Sequence, residues 1–445
     1  MSGRLIVALL LPLLPAHLAA EADHYWPTWR GPTGNGVAPH GEPPTTWSET
    51  ENVRWKVELP GLGNASPVVW GDRVFVMSAK PTDPSAYEAE QEAARLRAER
   101  RERPGGLRPV EQSFVVLALS REDGSVVWER VVATDTPHEG HHQDNSWASG
   151  SPVTDGEVLI AHFGSFGTFA FDLDGNELWS TDLGDMTTRN GFGEGISPSI
   201  AGDKVIINWD HEGDSKIVAL DKRTGEQIWR RDRDEVTSWA TPLILEHDGR
   251  TQAIVPATGR SRGYDADTGE EIWSLGGMTV NTIPSPVSRD GVVYLTSGFR
   301  GNMLQAVALD RAEGELTDSA DAVLWTYDRD TPYVPSMLLY DDQLYFLKRL
   351  DNILTSLDAS TGEVVFHQIR VEGVQNVWAS PVAAAGRVYI TSREGVTVVL
   401  EHGPDYKVLA TNRLDDRFDA TPALVDDEIY LRGKKYLYCI ADDRK

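Results

Sequence analysis

One short phrase recurs eight times along this chain of 445 residues, and the spacing of its copies limits the possible folds more than any other feature. The phrase is usually a small residue or Pro (Ile196 in one copy), then Ser or Thr, then usually Pro; its first copy begins at Ala65 and its last at Ala420. Counted at the Pro position (67, 152, 198, 242, 286, 337, 381 and 422), the copies lie 85, 46, 44, 44, 51, 44 and 41 residues apart. Each copy opens a strand, a tight turn and a second strand, and a strand-rich unit of about 40 to 50 residues is the period of a four-stranded propeller blade. The repeats therefore predict an all-β, eight-bladed β-propeller.

A second phrase places a tryptophan on the outer strand of several units. It reads "ALDKRTGEQIW" at Ala219–Trp229 and "GYDADTGEEIW" at Gly263–Trp273. The Asp accepts hydrogen bonds from the turn that follows it, the Gly takes the left-handed conformation, and the Trp comes four residues later on the next strand. We expect each indole to pack between neighbouring blades as a structural docking residue. The docking residues predicted for the chain are Trp55, Trp128, Trp179, Trp229, Trp273 and Trp325.

The N-terminal part of the chain is predicted to close the ring. The eighth unit has a third strand at Tyr436–Ala441, and the sequence stops before a fourth can form. Asn52–Leu59 carries Trp55 with no turn phrase before it, so we expect this segment to complete the last blade and leave the ring without open edges. The predicted organisation is a signal peptide at residues 1–20, an N-terminal extension at 21–51 and a propeller at 52–445.

The first blade is predicted to carry a helical insertion at about residues 82–106. Asp83 is suited to the N-cap, Pro84 to the first helical position, and Pro104, Gly105 and Gly106 to the end of the segment. Two interpretations stay open, a solvated surface hairpin and a lid or partner arm over the loops. The insertion is also rich in arginine: Arg95, Arg97, Arg100, Arg101 and Arg103.

The tryptophan phrase resembles the docking repeat of quinoprotein alcohol dehydrogenase-type propellers, the pyrroloquinoline-quinone (PQQ) repeat superfamily. Within it, "WPTWRGPTGNG", "TRNGFGEG", "NWDHEGDS" and "RDTPYVP" resemble a secreted bacterial group of PQQ-repeat-like proteins. The resemblance implies a propeller and, in its dehydrogenase members, PQQ held by calcium with an Asp as base. The sequence departs from those members in having one cysteine, Cys439, so it lacks both an adjacent cysteine pair and a haem-binding C-x-x-C-H.

Composition indicates an exported monomer. Met1–Ala20 has Arg4, an apolar run and then small residues, as in a signal peptide for the periplasm or the cell exterior. No later segment reaches 18 uninterrupted apolar residues, so no membrane span is expected. The net charge of −26 argues against nucleic acid as a partner. The expected partner is a small molecule, a glycan or a protein.

Two polar segments are candidates for a site at one end of the ring. Short, uniform turns join the first two and the last two strands of each predicted blade, so the long variable segments converge on the opposite end, the loop face. "TPHEGHHQDNSW" and "NWDHEGDS" contain residue types that bind metals, although a hydrogen-bonded structural loop and a solvated turn are the alternatives. The candidate metal ligands are His141, His142, Asp144, Asp210 and Glu212.

The sequence favours a binding or scaffold protein because no catalytic constellation is assignable. A quinone-dependent dehydrogenase is the first alternative. A glycan-processing hydrolase or lyase is the second, because Trp147, Trp209, Trp239 and Trp378 offer faces for sugar rings. Arg393 and Arg417 belong to a wider mixed-charge set on the same face. The candidate ligand-binding residues are His142, Asp144, Trp147, Arg189, Glu194, Asp210, His211, Trp239, Arg300, Arg329 and Trp378.

Overall fold

Eight sheets follow one another around a ring in the computed structural model, which describes residues 22–100, 106–317 and 319–442. Each blade has four antiparallel strands that follow one another along the chain, with two exceptions: a short inserted strand interrupts the order in blade 5, and blade 8 takes one of its four strands from near the N-terminus. The predicted all-β, eight-bladed propeller is therefore confirmed. The predicted signal peptide at residues 1–20 lies outside the described residues.

Two strands precede the blades, β1 (Val37–Ala38) and β2 (Val53–Glu58). Blades 1 and 2 contain β3 (Val68–Trp70), β4 (Arg73–Pro81), β5 (Gln112–Ser120), β6 (Val126–Asp135), β7 (Val153–Thr154), β8 (Leu159–His162), β9 (Thr168–Phe171) and β10 (Glu177–Thr181). Blades 3 and 4 contain β11 (Ser199–Ala201), β12 (Lys204–Trp209), β13 (Lys216–Asp221), β14 (Gln227–Asp232), β15 (Leu243–His247), β16 (Arg250–Val255), β17 (Ser261–Asp265) and β18 (Glu271–Leu275).

Blade 5 contains β19 (Val287–Arg289), β20 (Val292–Ser297), β21 (Met303–Ala308) and β23 (Val323–Tyr327). The short β22 (Gly314–Leu316) follows β21 in the chain but pairs at the edge of the blade 4 sheet. Blades 6 and 7 contain β24 (Leu338–Tyr340), β25 (Gln343–Leu347), β26 (Ile353–Asp358), β27 (Val364–Arg370), β28 (Val382–Ala384), β29 (Arg387–Thr391), β30 (Val396–Glu401) and β31 (Val408–Arg413). Blade 8 contains β32 (Ala423–Val425), β33 (Glu428–Arg432), β34 (Tyr436–Ala441) and β2.

The ring closes through β2, as the sequence predicts. β2 pairs antiparallel with β34, and Trp55 lies opposite Cys439 in that pairing. The indole of Trp55 also donates a hydrogen bond to the carbonyl oxygen of Arg121 in blade 1, at 2.9 Å. One strand thus completes blade 8 and fastens it to blade 1. Cys439 is fully buried, and burial raises the pKa of its thiol to about 12.

Five of the six predicted docking tryptophans share one geometry. In each, the indole N–H donates to a backbone carbonyl of the next blade, at 2.9 to 3.1 Å. The ring lies against the glycine of that blade's last turn: a Cβ on Gly225 would come within 2.6 Å of the Trp179 ring, and its φ of +73° also favours glycine. Each turn phrase therefore forms the docking surface for the tryptophan of the preceding blade. The five are Trp55, Trp128, Trp179, Trp229 and Trp325.

Trp273 is held differently because blade 5 lacks the turn phrase. Its indole donates to the side chain of Gln252 within its own blade, at 3.1 Å. β22 pairs in parallel with β18 beside it, and Trp273 is fully buried. An inserted strand thus covers the indole where the docking turn is missing.

The Ser or Thr of the repeated phrase forms a belt around the channel. The side-chain oxygen in one blade accepts a hydrogen bond from the backbone N–H of the equivalent residue in the blade before it. Seven such bonds measure 2.8 to 3.0 Å, and the last, from Thr421 to Ser66, joins blade 8 to blade 1. The phrase therefore connects blades as well as opening their hairpins. The belt comprises Ser66, Ser151, Ser197, Thr241, Ser285, Ser336, Ser380 and Thr421.

The N-terminal extension crosses the channel near the end of the inner strands that lies away from the belt. Trp26 pairs with Val69 of blade 1, and the carbonyl oxygen of Gly36 accepts from Ala383 of blade 7. Between them, Asn35 exchanges hydrogen bonds with Ser288 of blade 5. Because these contacts lie one or two residues before the short turns, the extension blocks the turn end of the channel. The belt lies at the loop end.

The predicted helix is present as α1 (Pro84–Glu99), with the Asp83 side chain accepting from the backbone N–H groups of Ser85 and Ala86. Tyr87 and Ala94 of α1 pack with Leu107. Arg95 pairs with Glu92 and Glu99, and Arg97 pairs with Glu90, so the charge of each arginine is paired within the insertion. Residues 101–105, with Arg101 and Arg103, lie outside the described residues. No helix in the described part of the chain is long and apolar enough to cross a membrane.

Candidate functional site

A cavity of about 490 Å³ occupies the loop end of the central channel. Its wall combines belt hydroxyls with side chains from the crossovers between blades and from the loop-face turns. Trp29 of the N-terminal extension also contributes to the lining. The aromatic residues of the wall are Trp29, Phe192, Trp239, Phe299, Tyr333 and Trp378.

Four of these aromatic residues are held in place by specific contacts. The indole of Trp239 donates to the carbonyl oxygen of Gly193, at 2.8 Å. Phe299 and Tyr333 stack on each other with centroids 4.6 Å apart. The indole of Trp378 lies under the guanidinium of Arg393, 3.9 Å from the ring centroid. Sequence analysis proposed Trp239 and Trp378 for ligand binding, and the structure brings both to the same cavity.

A charged cluster lies at one side of the cavity; its carboxylates, Asp144 and Asp419, line the cavity, and its three cations are outside the lining. Asp144 accepts from Arg393 at 2.8 Å and from Arg417 at 3.0 Å. Asp419 accepts from Arg393 at 2.6 Å and lies 3.2 Å from the ammonium of Lys434. Burial would raise the pKa of Asp419, but attraction to Lys434, Arg393 and Arg417 outweighs it and holds that pKa below its usual value. The cluster therefore favours the ionised form of Asp419.

His142 lies beside this cluster at the cavity wall. Its Nδ1 accepts from the backbone N–H of Asp144 at 3.2 Å, and its ring meets Phe192 edge-on with centroids 5.4 Å apart. With Nδ1 accepting, the neutral ring carries its proton on Nε2. His142 thus presents a hydrogen-bond donor to a ligand.

The carboxylates of the cavity do not fit the calcium ion that the dehydrogenase alternative requires. Calcium takes six to eight oxygen ligands, which are carboxylates, carbonyls and waters, and its charge is balanced by the carboxylates among them. Asp144 and Asp419 are already matched by Arg393, Arg417 and Lys434. A divalent cation at these two oxygens would meet three positive charges.

The structure places Asp210, His211 and Glu212 outside the cavity. Sequence analysis considered a solvated turn for this segment, and that prediction is wrong for Asp210 and His211, which are buried. Asp210 is fully buried and forms a two-pronged ion pair with Arg233, with N–O distances of 2.6 and 3.0 Å. His211 is 7% exposed, and its Nδ1 accepts from the backbone of Thr187. These contacts hold the turn against blade 3.

His141 and Trp147 lie behind the cavity wall. The His141 ring meets the Trp147 ring edge-on at 4.3 Å, and its Nδ1 bonds to the carbonyl oxygen of His142. Burial lowers the pKa of His141 to about 4. Trp147 packs against the α1 cluster of Tyr87, Ala94 and Leu107. Among the described residues, no group of three or more His, Cys, Asp or Glu side chains is arranged to hold a metal ion.

Glu194 faces a separate small space of about 20 Å³ beside the main cavity. Its carboxylate accepts from the backbone N–H of Ser165 at 2.8 Å and from the Ser165 hydroxyl at 2.5 Å. Burial raises the pKa of Glu194 to about 7, against the opposing effect of those hydrogen bonds. Its main chain still supports the main cavity, because Asn145 donates to the carbonyl oxygens of Phe192 and Glu194.

Arg189, Arg300 and Arg329 lie outside the lining of the main cavity. Arg300 and Arg329 are exposed and extend beside Phe299 and Tyr327 respectively. The backbone of Arg189 donates to the hydroxyl of Thr237. Of the eleven candidates, the cavity wall contains His142, Asp144, Trp239 and Trp378.

Sequence analysis did not select several residues of the wall. Trp29 belongs to an extension without repeats, and Phe299 and Tyr333 look like ordinary apolar residues of loops. Asp419 is far in sequence from Asp144, its neighbour in the charged cluster. The belt hydroxyls did have a signal, because every copy of the phrase carries Ser or Thr at the same position.

Comparison with known proteins identifies a family whose model spans the ring and relatives that match part of it. The family described as outer membrane protein assembly factor BamB matches residues 45–208, 165–322 and 213–444. BamB of Shewanella oneidensis is 23% identical over 303 residues, which cover 65% of this chain and 67% of that protein. Methanol dehydrogenase [cytochrome c] subunit 1 of Methylobacterium organophilum is 25% identical over 145 residues, or 28% of this chain and 22% of the subunit's own length.

Two solved structures share the fold. BamB from Moraxella catarrhalis has a TM-score of 0.55 at 16% identity, and the match covers 73% of this chain and 91% of that chain. Quinohemoprotein alcohol dehydrogenase ADHIIG from Pseudomonas putida HK5 has a TM-score of 0.58 at 11% identity, with 95% and 80% covered. These similarities confirm the PQQ-repeat-like propeller.

Proposed function

Because the chain belongs to the family of the outer membrane protein assembly factor BamB, we propose that it is an exported binding protein whose propeller is a rigid scaffold. It acts in the periplasm or outside the cell, and the cavity at the loop end of the channel holds its ligand. The apolar run and small residues of Met1–Ala20 support export. The family name supports a role in holding a partner.

The observation that carries this proposal is the shape of the channel. The extension blocks the turn end through Trp26, Asn35 and Gly36, whereas the loop end holds an aromatic-lined cavity of about 490 Å³. A concave, mostly apolar space with a few converging polar groups is the usual form of a ligand site. The cavity thus has the size and lining to enclose a ligand.

Binding without turnover is supported by the state of the polar groups. Nδ1 of His142 accepts a backbone N–H, and Asp144 and Asp419 are paired with cations. A general base needs a free lone pair within reach of its substrate. The lone pair on Nδ1 of His142 is instead engaged by a backbone N–H, and the two carboxylates are held in ion pairs. Groups fixed in this way suit a recognition surface.

A neutral fluorescent probe, N-phenyl-1-naphthylamine, tests whether the cavity admits a ligand. The variant Gly195→Trp fills it, because Gly195 lines the cavity and a Cβ there would make ordinary contacts, 3.6 Å from Ser149 and 3.7 Å from Trp239. Gly276→Trp is the matched control, since Gly276 is outside the lining and its nearest neighbour would be 3.9 Å away.

We expect wild type and Gly276→Trp to bind one probe per chain with enhanced fluorescence, and Gly195→Trp to bind at least about tenfold more weakly. Circular dichroism melting checks that both variants are folded. Equal binding by a folded Gly195→Trp protein, or no saturable binding by wild type, would overturn the proposed site.

A further inference from the structure

The charged side chains of the cavity wall suit neither an anion nor a cation. In the described part of the chain, the lining holds the carboxylates of Asp144 and Asp419 and no Arg or Lys. An anionic ligand would therefore face two groups of its own sign. A cationic ligand would face carboxylates that already have a partner cation, because both lie in ion pairs with Arg393, at 2.8 and 2.6 Å. The wall thus favours a ligand without net charge.

Two carboxylate oxygens at this wall can still accept a hydrogen bond. Oδ1 of Asp144 accepts from Arg393 and Arg417, whereas its Oδ2 accepts from no described residue. Oδ2 of Asp419 is buried and lies 3.2 Å from the ammonium of Lys434, yet it too accepts no hydrogen bond within the described part of the chain. Ion pairing stabilises the ionised form of a carboxylate, which makes it a poor base, but its remaining oxygen can accept from a neutral donor such as a hydroxyl.

Hydrogen-bond donors lie on the same wall. His142 has its donor at Nε2, because its Nδ1 accepts from the backbone of Asp144. Belt hydroxyls accept a backbone N–H from the neighbouring blade, and no described residue accepts their own protons. The belt members of this kind that line the cavity are Ser66, Ser151, Ser197, Ser380 and Thr421. A ligand in the cavity therefore meets donors as well as acceptors.

Aromatic faces are the third feature of the wall. Trp239, Trp378 and the stacked pair of Phe299 and Tyr333 come from separate segments around the mouth. The negative face of an aromatic ring attracts the weakly positive C–H groups of a saturated ring. A sugar ring whose hydroxyls are all equatorial has such C–H groups on both faces. Its rim carries hydroxyls, and each of them can both donate and accept a hydrogen bond.

From these features we propose that the cavity binds a neutral oligosaccharide with equatorial ring hydroxyls. The inference rests on the proposed binding function and names its ligand class. The aromatic faces contact the C–H faces of the sugar, and the belt and His142 donate to the sugar oxygens. Sugar hydroxyls donate in turn to Oδ2 of Asp144 and of Asp419. A flat apolar ligand would leave all these polar atoms without partners, which is unfavourable for buried groups.

Titration calorimetry with defined tetrasaccharides tests the proposal. The probes are cellotetraose and tetra-N-acetylchitotetraose, which carry no charge and have equatorial ring substituents. Three modified sugars serve as comparisons. Permethylated cellotetraose keeps the C–H faces but has no donor, cellotetraose oxidised at its C6 positions is an anion, and deacetylated chitotetraose is a cation.

The key variant is His142→Asn. An Asn side-chain oxygen can still accept the backbone N–H two residues later, whereas the donor at Nε2 is lost. The matched control is His138→Asn, on the same crossover but outside the lining of the main cavity. The two side chains are similarly exposed, at 43% for His142 and 31% for His138. Circular dichroism melting checks that both variants are folded.

We expect at least one of the two neutral tetrasaccharides to bind wild type, and each chemical modification to weaken binding at least about tenfold. His142→Asn weakens sugar binding at least about threefold, as expected for one hydrogen bond, whereas His138→Asn binds as wild type does. N-phenyl-1-naphthylamine binds both variants like wild type, because an apolar probe does not need the lost donor. Raising the salt concentration changes sugar binding by less than about twofold, since the ligand has no charge.

The proposal is overturned if neither neutral tetrasaccharide binds, if a permethylated or charged form binds equally well, or if the two variants bind the sugar alike. The apolar probe separates this failure from failure of the proposed function. If Gly195→Trp abolishes binding of N-phenyl-1-naphthylamine while neither neutral sugar binds wild type, the cavity remains a ligand site and only the ligand class is wrong.

Discussion

Thr421 donates its backbone N–H to the side-chain oxygen of Ser66, 2.9 Å away, across 355 residues of sequence. This bond joins the last blade to the first on the inside of the ring, whereas the pairing of β2 with β34 joins them on the outside. These are two of the contacts that fasten the ring at its closure point. One is a single hydrogen bond of the belt, and the other is a whole strand.

Removing one belt hydroxyl is expected to destabilise the fold. In Ser66→Ala the N–H of Thr421 stays buried without a partner, which costs about 1 to 3 kcal/mol in the free energy of unfolding. Ser66→Thr keeps the hydroxyl and is expected to change it by less than about 1 kcal/mol, since Thr already occupies two belt positions. Urea unfolding measures both, and equal stability of the two variants would contradict a bonding role for the belt.

The docking tryptophans are expected to stabilise the interfaces between blades. Trp229→Ala removes a side chain that is 6% exposed and leaves a cavity, at a cost of about 3 to 5 kcal/mol. Its neighbour Ile228 is 43% exposed, so Ile228→Ala should cost less than about 0.5 kcal/mol. Thermal unfolding compares the two. If Trp229→Ala and Ile228→Ala unfolded at the same temperature, the indole of Trp229 would not have a structural role.

Asp210 is expected to behave as a core residue although it lies in a polar turn. Asp210→Ala leaves the guanidinium of Arg233 buried without its carboxylate, which costs about 3 to 5 kcal/mol. Asp214→Ala, an exposed position on the same turn, should be nearly neutral. The pair is compared by chemical denaturation. A metal- or ligand-binding role for Asp210 would instead predict little change in stability for either variant.

Glu194 is expected to make stability depend on pH. Its pKa of about 7 in the folded chain lies above the ordinary value of 4.5, so the folded state binds more protons between those values. The contribution of Glu194 to stability is therefore present below pH 4.5 and is lost as the pH rises through 7. Relative to wild type, Glu194→Gln should be more stable at pH 8 than at pH 5 by about 1 to 3 kcal/mol. Denaturation at both pH values measures this, and a constant difference would contradict the raised pKa.

The features that could be predicted are those encoded locally and repeatedly. Each blade carries its own hairpin phrase, and five docking tryptophans have their partner glycine in the next copy of the turn phrase. Closure by Asn52–Leu59 followed from counting strands. Trp273 was predicted as a docking residue like the others, but its covering strand β22 has no counterpart in the other blades.

The features that could not be predicted depend on contacts between distant segments. Asp210 looks solvated in sequence because its partner Arg233 lies 23 residues later on the far side of β14. Asp144, Asp419 and Lys434 come from two crossovers and one turn that are distant in sequence. No repeat in the sequence indicates that these segments meet. The extension lies outside the repeated units, so the repeats do not predict its path through the channel. The positions of Trp29 in the cavity wall and of Arg30 next to it could therefore not be predicted.

The pairing of Trp26 with Val69 has a consequence for polymers. With the extension lying across the turn end, a strand of polymer cannot be threaded through the hole of the toroid and slide along it, as a ring clamp would allow. A polymer can offer only a chain end or a projecting branch to the open mouth, and it must withdraw by the same route. The ring would therefore grip a polymer at discrete points and release it without travelling along it.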